Sequence, residues 1–492
     1  MMSFGILSAM LFTPVIGAII GYIIGTKDVK AAKFFGVGVT ILTFIISLIA
    51  WGRADFSTHA YQLVETVAWA PSVGISYTLG VDGISYPLVL LTTLISPLAM
   101  AASWHVSDRT NIHFALLLII ESALLGVFLA LDLFLFFVFW EITLVPMYFL
   151  IGIWGGPRRE YASIKFFIYT HFAGLFVLLA IIALYFSVEP RTFSMAAIAQ
   201  YAPSLPVNTQ ILIFGALLFG FAVKLPVWPF HTWLPDAHVE APTAGSIHLA
   251  SLMLKMGGYG LIRIGLVMVP DGARAWIPVM LILGGVSAFY AAFAAMSQKD
   301  LKKLIAYSSV SHMGLALLGI AAFNIIGIEG AIYEMVAHGI ITGHLFFIAG
   351  VIHHKTGTRI IEDITGFGKK TPLLMGSIAI AFLASMGLPG LAGFVAEFLI
   401  FLGVFASLKF VAIIVVFSII ITAGYFLWTL QRLGFREPVK TLPEHIEDLE
   451  FWPELVPFAI LILLTIVLGI YPSPLLDMMG ASVANVVAIL GV

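Results

Sequence analysis

Cysteine is absent from this 492-residue chain, and charged residues make up only 10% of it. Without cysteine the chain can form no disulfide and can hold no iron–sulfur cluster or metal ion through thiolates. A soluble domain carries about 25% charged residues, so a composition that is 61% hydrophobic excludes a soluble globular protein. The net charge of −2 offers no basic surface for nucleic acid. A large multi-pass membrane protein is the class that is left.

The sequence contains many long apolar segments. A helix needs about 20 mostly apolar residues to cross a bilayer, and fourteen segments meet that need. They lie at 4–24, 33–51, 86–104, 112–131, 133–153, 162–186, 211–229, 243–268, 276–296, 303–322, 327–352, 373–401, 409–431 and 453–472. The predicted fold class is therefore all-α integral membrane with fourteen transmembrane helices.

Basic residues in the connecting loops predict the orientation of these helices. The odd loops, which join helices 1 and 2, 3 and 4, and so on, contain sixteen Lys and Arg residues, whereas the even loops contain four. Because Lys and Arg mark cytoplasmic loops, both termini are expected on the outer side of a bacterial inner membrane. Of the other four basic residues, Lys165 and Arg263 lie near helix ends, where we expect them to snorkel to the interface.

A small set of ionisable residues lies inside the predicted helices, where a charge costs about 2.5–3.5 kcal/mol on insertion scales. Glu141, Lys224, Lys255 and Glu397 lie deep within apolar segments, and such charges mark ion or proton pathways. For the other ionisable residues inside the helices, hydrogen bonding between helices is an alternative structural explanation. They are Glu121, Asp132, His248, His312, Glu334, His338 and His344.

Two of the apolar segments contain breaks close to these charges. Three prolines between residues 226 and 235 interrupt the helix just after Lys224, and a Gly/Pro run at 387–393 precedes Glu397. Paired broken helices in corresponding halves of a transporter mark its transport site. Buried Lys, Glu and His side chains can exchange protons near neutral pH. The pattern therefore predicts a proton relay.

Four runs of sequence resemble the antiporter-like subunits of respiratory complex I. They are WEITLVPMYFLIGIWGG at 140–156, KLPVWPFHTWLPDAHVEAPT at 224–243, KDLKKLIAYSSVSHMG at 299–314 and GLPGLAGFVAE at 387–397. Within this family, Glu rather than Lys at the position of Glu397 is typical of the M, or chain 4, branch. The resemblance implies two inverted five-helix repeats with broken helices 7 and 12. It divides one membrane domain into N-terminal helices at 1–111, repeats at 112–268 and 269–431, and a C-terminal helix within 432–492.

The resemblance also implies roles for individual residues. The expected proton relay consists of Glu141, Lys224, Lys255, His312, His338 and Glu397. The expected supporting polar network consists of Asp132, His231, His248, Glu334 and His344. Glu141 and Lys224 are expected to form an ion pair whose breakage drives the proton onward through Lys255 to Glu397. Glu334 and His338, four residues apart on a helix, are expected to hydrogen-bond.

The implied function is proton pumping by a membrane-arm subunit of NADH:quinone oxidoreductase, driven by electron transfer elsewhere in the complex. FMN, iron–sulfur clusters and quinone are expected in partner subunits, with no cofactor or metal in this chain. The expected partners are neighbouring antiporter-like subunits, the redox arm and lipid. Two alternatives stay open. One is the large subunit of a multi-subunit Na⁺/H⁺ antiporter, and the other is the equivalent subunit of a membrane hydrogenase or of a ferredoxin- or F420-driven complex.

Overall fold

The computed structural model of the chain describes residues 5–439 and 446–491. Lys440, one of the sixteen basic residues of the odd loops, lies outside them. Most of the described chain is helical. The first helices are α1 (Ile6–Gly25), α2 (Val29–Trp51), α3 (Tyr86–Ala102) and α4 (Thr110–Leu129). Those that follow are α5 (Leu133–Ile142), α6 (Leu144–Trp154), α7 (Arg159–Ser187), α8 (Met195–Tyr201), α9 (Val207–Lys224), α10 (Trp233–Glu240), α11 (Thr243–His248), α12 (Lys255–Gly260) and α13 (Pro270–Ala275). The last are α14 (Ile277–Met296), α15 (Leu301–Ala321), α16 (Ile325–Thr356), α17 (Pro372–Ser385), α18 (Ala392–Ser407), α19 (Lys409–Gly434), α20 (Val456–Ile470) and α21 (Ser473–Leu490).

The predicted all-α membrane fold is confirmed, because 12 helices of the described chain are long and apolar enough to cross a membrane, while the count of fourteen transmembrane helices stays a prediction. Eleven of them, and the shorter helix α3, match predicted segments. The other two predicted segments are interrupted. The segment at 243–268 runs through α11, α12 and two π-helical stretches, and the segment at 373–401 is split between α17 and α18.

The odd loops meet at one end of the helix bundle, here called the odd-loop face. Lys355, at the end of α16, forms a 3.0 Å ion pair with Glu454, which lies just before α20. The backbone N–H of Leu301 donates to the carbonyl of Arg359 at 2.9 Å, which joins the loop before α15 to the loop after α16. Basic residues from several loops are thus brought to the same end.

The even loops meet at the opposite end, the even-loop face. The side-chain amide of Asn324, between α15 and α16, donates to the carbonyl of Gly403 at 2.8 Å. The N–H of Phe193, after α7, donates to the carbonyl of Gly74, after α2, at 3.2 Å. The loops therefore alternate between the two ends, as is expected of helices that cross a membrane in turn.

The even-loop face also carries an antiparallel β-hairpin that the sequence analysis did not predict. Its strands are β1 (Gln62–Ala70) and β2 (Ile75–Val81), with Thr66 opposite Thr78. The N–H of Leu131 donates to the Thr78 carbonyl at 2.9 Å and anchors the hairpin beside the end of α4.

Helix α21 is the second unpredicted element on the even-loop face. The N–H of Gly83 donates to the hydroxyl of Ser482, in the middle of α21, at 3.0 Å. The guanidinium of Arg274 donates to the carbonyl of Leu490, its last residue. Since both contacts come from even loops, α21 lies along this face.

Most ionisable residues near the middle of the long helices lie inside the bundle, and its outer surface exposes many large apolar side chains. Leu212, Phe410 and Ile420 are among the most exposed apolar residues, on α9 and α19. In contrast, the most apolar window of α16 is completely buried by other helices. A helix that carries Glu334, His338 and His344 is thus shielded from lipid on every side.

Lys165 and Arg263, which are expected to snorkel to the interface, both form ion pairs within the protein. Lys165 Nζ lies 2.7 Å from the carboxylate of Asp236. The Arg263 guanidinium contacts the carboxylate of Asp82, just before α3, and both side chains are buried. Pairing with a nearby carboxylate costs each cation less free energy than exposure to lipid would.

Replacement of Asp82 by Asn tests the buried pair, because the amide oxygen can still accept hydrogen bonds from the N–H groups of Ile84 and Ser85, just before α3, while the negative charge is lost. An uncompensated buried guanidinium should lower the free energy of unfolding by about 3 kcal/mol, measured by thermal unfolding in detergent. Glu189→Gln is the matched control, since its carboxylate pairs with Arg191 in solvent at 3.7 Å. Equal unfolding midpoints for the two variants would contradict a stabilising role for the Asp82 charge.

Candidate functional site

A lysine in the interior of the bundle is hydrogen-bonded to a histidine of the central helix α16. Lys255 Nζ lies 2.7 Å from His338 Nδ1 and donates to the Ala250 carbonyl at 2.5 Å. The carbonyl lies in the π-helical stretch Leu249–Met253, and such local widening of a helix is frequent at functional sites. Both side chains are buried, so the only groups with which this amine can exchange a proton are other buried polar groups or trapped water.

A second histidine connects this pair to two carboxylates. His312 Nδ1, on α15, lies 3.3 Å from the carboxylate of Glu334 and 3.7 Å from that of Glu397. The rings of His312 and His338 are 5.7 Å apart between centroids. Lys255, His338, His312 and Glu397 therefore form one line of ionisable groups, all buried, that crosses from α12 through α16 and α15 to α18.

An internal cavity lies beside this line. It has a volume of about 10 Å³ and is lined by His312, Glu334, His338 and Ser385, among others. About 10–15 Å³ is the least space in which one water molecule fits. A water held here would have the polar partners that a buried water needs and would bridge the two histidines.

The break between α17 and α18 is shaped around Glu397. Gly387 has φ of +73°, a backbone conformation that favours glycine, and any side chain at this position would overlap the Glu397 carboxylate. Gly390 has φ of +93° in the same break. The Gly/Pro run thus leaves room for the carboxylate at the point where the helix is interrupted.

The expected ion pair between Glu141 and Lys224 is not formed directly. Glu141 instead binds the ring of His171, on α7, at 2.7 Å, and Lys224 Nζ has no hydrogen-bond partner among the described residues. The ammonium group lies over the rings of Trp140 and Phe166, at 5.5 and 5.8 Å from their centroids. Cation–π contacts of this kind hold a buried cation in place of a carboxylate.

Lys224 and Lys255 lie on neighbouring helices. Gly257, on α12, approaches the backbone of Leu225, directly after Lys224, so closely that a side chain would not fit. The Glu141 and Lys224 region is thereby packed against the helix that carries Lys255.

Two predicted network residues make ordinary structural bonds away from the line. Asp132 caps α5 by accepting hydrogen bonds from the N–H groups of Phe134 and Leu135 at 2.9 and 3.1 Å. His344 binds the hydroxyl of Ser377 at 2.7 Å. The bonds expected between Glu334 and His338 are replaced by those to His312 and Lys255.

Two others keep an unbonded ring nitrogen within the described part of the chain. His231 packs edge-on against Tyr290, and its Nδ1 is buried without a partner. His248 Nδ1 bonds the Ala244 carbonyl at 3.1 Å, which leaves its Nε2 buried and unbonded.

The sequence analysis missed two histidines that lie among these groups. His171 is the partner of Glu141, and His238 is fully buried, stacked 4.2 Å from Phe346, with neither ring nitrogen bonded to a described residue. His171 lies in a predicted helix and His238 within the 224–243 run, so a list of every histidine near the membrane interior would have included both.

Comparisons with known proteins match the whole length of this architecture. The family model described as NADH:quinone oxidoreductase/Mrp antiporter, TM, matches residues 130–422. A second, NADH-ubiquinone oxidoreductase chain 4, amino terminus, matches residues 10–132. A chain in the structure titled Respiratory complex I from Thermus thermophilus with bound NADH has a TM-score of 0.90 and 28% identity. That match covers 99% of this chain and 100% of that one.

Two curated relatives share two-fifths of their residues with this chain. F(420)H(2) dehydrogenase subunit M of Methanosarcina mazei is 42% identical over 96% of both chains. NADH-quinone oxidoreductase subunit M of Rhodobacter capsulatus is 41% identical over 98% of this chain and 96% of that one. The chain is thus a multi-pass membrane protein that belongs to the NADH:quinone oxidoreductase/Mrp antiporter family, on the chain 4, or subunit M, branch.

Proposed function

We propose that this chain translocates protons as a membrane-arm subunit of a respiratory oxidoreductase complex. The observation that carries the proposal is the buried line Lys255, His338, His312 and Glu397. Ionisable groups are costly in a membrane interior. A continuous series of them, with gaps that one water molecule can fill, therefore supports a role in proton transfer rather than in packing.

The line supports stepwise proton transfer. Lys255 as an ammonium donates to His338, and as an amine it accepts from a neighbour, so one nitrogen serves both steps. Imidazole accepts a proton at one ring nitrogen and releases it at the other, which suits His338 and His312 to connect two sides. Glu397, at the helix break, is the last acceptor in the line and is proposed as the outlet.

Glu141, His171 and Lys224 are proposed as the control element. The Glu141 carboxylate attracts the Lys224 ammonium across a low-dielectric interior without touching it. A change in the charge of His171 or Glu141 would alter how firmly Lys224 holds its proton. The charge of Lys224 would in turn alter how firmly Lys255, on the adjacent helix, holds its proton. Both lysines lie in the first of the two proposed inverted repeats.

The redox chemistry is proposed to lie in partner subunits, with FMN, iron–sulfur clusters and quinone bound there. The cysteine-free sequence supports this division, since iron–sulfur clusters are held by cysteine thiolates. The excess of basic residues in the odd loops supports a cytoplasmic odd-loop face and both termini on the outer side of a bacterial inner membrane.

The relatives differ in the electron donor that their names state. Identity to the F(420)H(2) dehydrogenase subunit and to the NADH-quinone oxidoreductase subunit is nearly equal. We propose the NADH-driven complex, with the F420-driven complex, a membrane hydrogenase and the multi-subunit Na⁺/H⁺ antiporter as alternatives. Glu397 in place of Lys favours a redox complex over the antiporter.

Replacement of Lys255 by Met, or of Glu397 by Gln, removes a proton-exchanging group at nearly constant volume. Proton pumping by the reconstituted complex should fall about 100-fold, the size of a lost acid–base step, measured as vesicle acidification during donor oxidation. Lys409→Met is the matched control, because this lysine is exposed at the start of α19, and it should pump normally. Native pumping by the Lys255→Met complex would contradict the proposed relay.

Purification of the complex through a tag on this chain separates the alternatives. The proposal predicts that subunits with flavin and iron–sulfur absorption co-purify and that NADH reduces them. Reduction by F420H₂ alone would replace NADH as the donor, while co-purification with small cation-antiporter subunits and no redox cofactor would overturn the respiratory assignment.

A further inference from the structure

A cavity of about 360 Å³ lies at the odd-loop face, away from the Glu141 and Lys224 region. It lies between the end of α3, the start of α11 and the end of α16. The exposed rings of His105 and His354 line its outer part, and Ala102, Ser103 and the buried carboxylate of Glu454 line its wall. Exposed imidazole groups are able to exchange protons with solution near neutral pH.

The inner end of this cavity leads into buried polar groups. The Ser103 hydroxyl lies 2.8 Å from Nε2 of His113, on α4, and both residues are buried. The other ring nitrogen of His113, Nδ1, is buried and bonds to none of the described residues. Trp154 packs edge-on against the ring at 4.7 Å and fixes its orientation. His113 therefore has one nitrogen toward the cavity and one free for a buried partner.

The next groups inward have the same unfilled hydrogen-bonding capacity. Because His248 Nδ1 bonds a carbonyl, the Nε2 of its neutral ring is a bare acceptor. The helices that carry His113 and His248, α4 and α11, pack against each other. The hydroxyl of Ser251, one turn before Lys255, is also buried and unbonded within the described chain. Buried polar atoms of this kind are normally bonded to ordered water.

We propose that this cavity is the mouth of a second proton entrance, which reaches Lys255 through Ser103, His113, His248 and Ser251 and bypasses Glu141 and Lys224. His113 takes up a proton at Nε2 and releases one from Nδ1. His248 takes up a proton at Nε2 and releases it from Nε2 again, because its Nδ1–H stays bonded to the Ala244 carbonyl. Neither ring keeps a net charge after a transfer. Bound water bridges the gaps. The proposal rests on the proposed function, because it supplies the proton that Lys255 passes to Glu397.

Thiol labelling tests this entrance in the assembled complex. The chain has no cysteine, so Ala102→Cys provides a single target in this subunit, on the cavity wall. A bulky, membrane-impermeant methanethiosulfonate added to the odd-loop face should lower the protons pumped per electron to roughly half or less, as expected when one of two pore-like routes is filled. The untagged native complex, labelled in parallel, corrects for cysteines of other subunits.

The matched control is Ser297→Cys, an exposed position on the same face outside the cavity lining. Its labelling should leave pumping unchanged. Ser103→Ala, which removes the hydrogen bond to His113, should lower the ratio without any reagent. Fully labelled Ala102→Cys that pumps like the native complex would overturn the second entrance. If labelled Ala102→Cys pumps normally while Lys255→Met abolishes pumping in the same preparation, only the second entrance is wrong and the proposed relay stands. If Lys255→Met pumps normally, the relay itself is wrong.

Discussion

The cost of a charge in hydrocarbon governs this structure. A lysine or glutamate can remain inside a membrane protein only if other helices shield it from lipid and polar groups surround it. The chain meets this condition by placing α16 at its centre, where the most apolar window of the helix is entirely covered. The helices around it contribute Lys255, His312 and Glu397 from three directions.

Irregular helices make that arrangement possible. A regular α-helix uses all its interior backbone groups in its own bonds, so it offers few polar partners to a buried side chain. Here a π-helical stretch lies where Ala250 accepts a bond from Lys255, and the break at Gly387 makes space for the Glu397 carboxylate. Non-helical backbone is tolerated at membrane depth only where protein or a hydrated cavity covers it. The breaks and the charges therefore depend on each other.

Much of the fold could be predicted from sequence, and so could most of the buried ionisable residues, but the partners of those residues could not. Hydropathy predicts the long helices because the bilayer fixes their length and polarity. Partner choice depends on the rotation of each helix about its axis, which hydropathy does not specify. Glu141 therefore binds His171 rather than Lys224, and Glu334 binds His312 rather than His338. The hairpin and α21 were missed because interfacial elements have a weaker apolar pattern.

Glu397 is proposed to gain and lose a proton as the complex turns over. Infrared difference spectroscopy of the carboxyl C=O stretch during donor oxidation measures this directly. We expect a protonated-carboxyl band that appears with turnover, shifts in D₂O and disappears in the Glu397→Gln complex. A turnover spectrum that is the same in the native and Glu397→Gln complexes would contradict it.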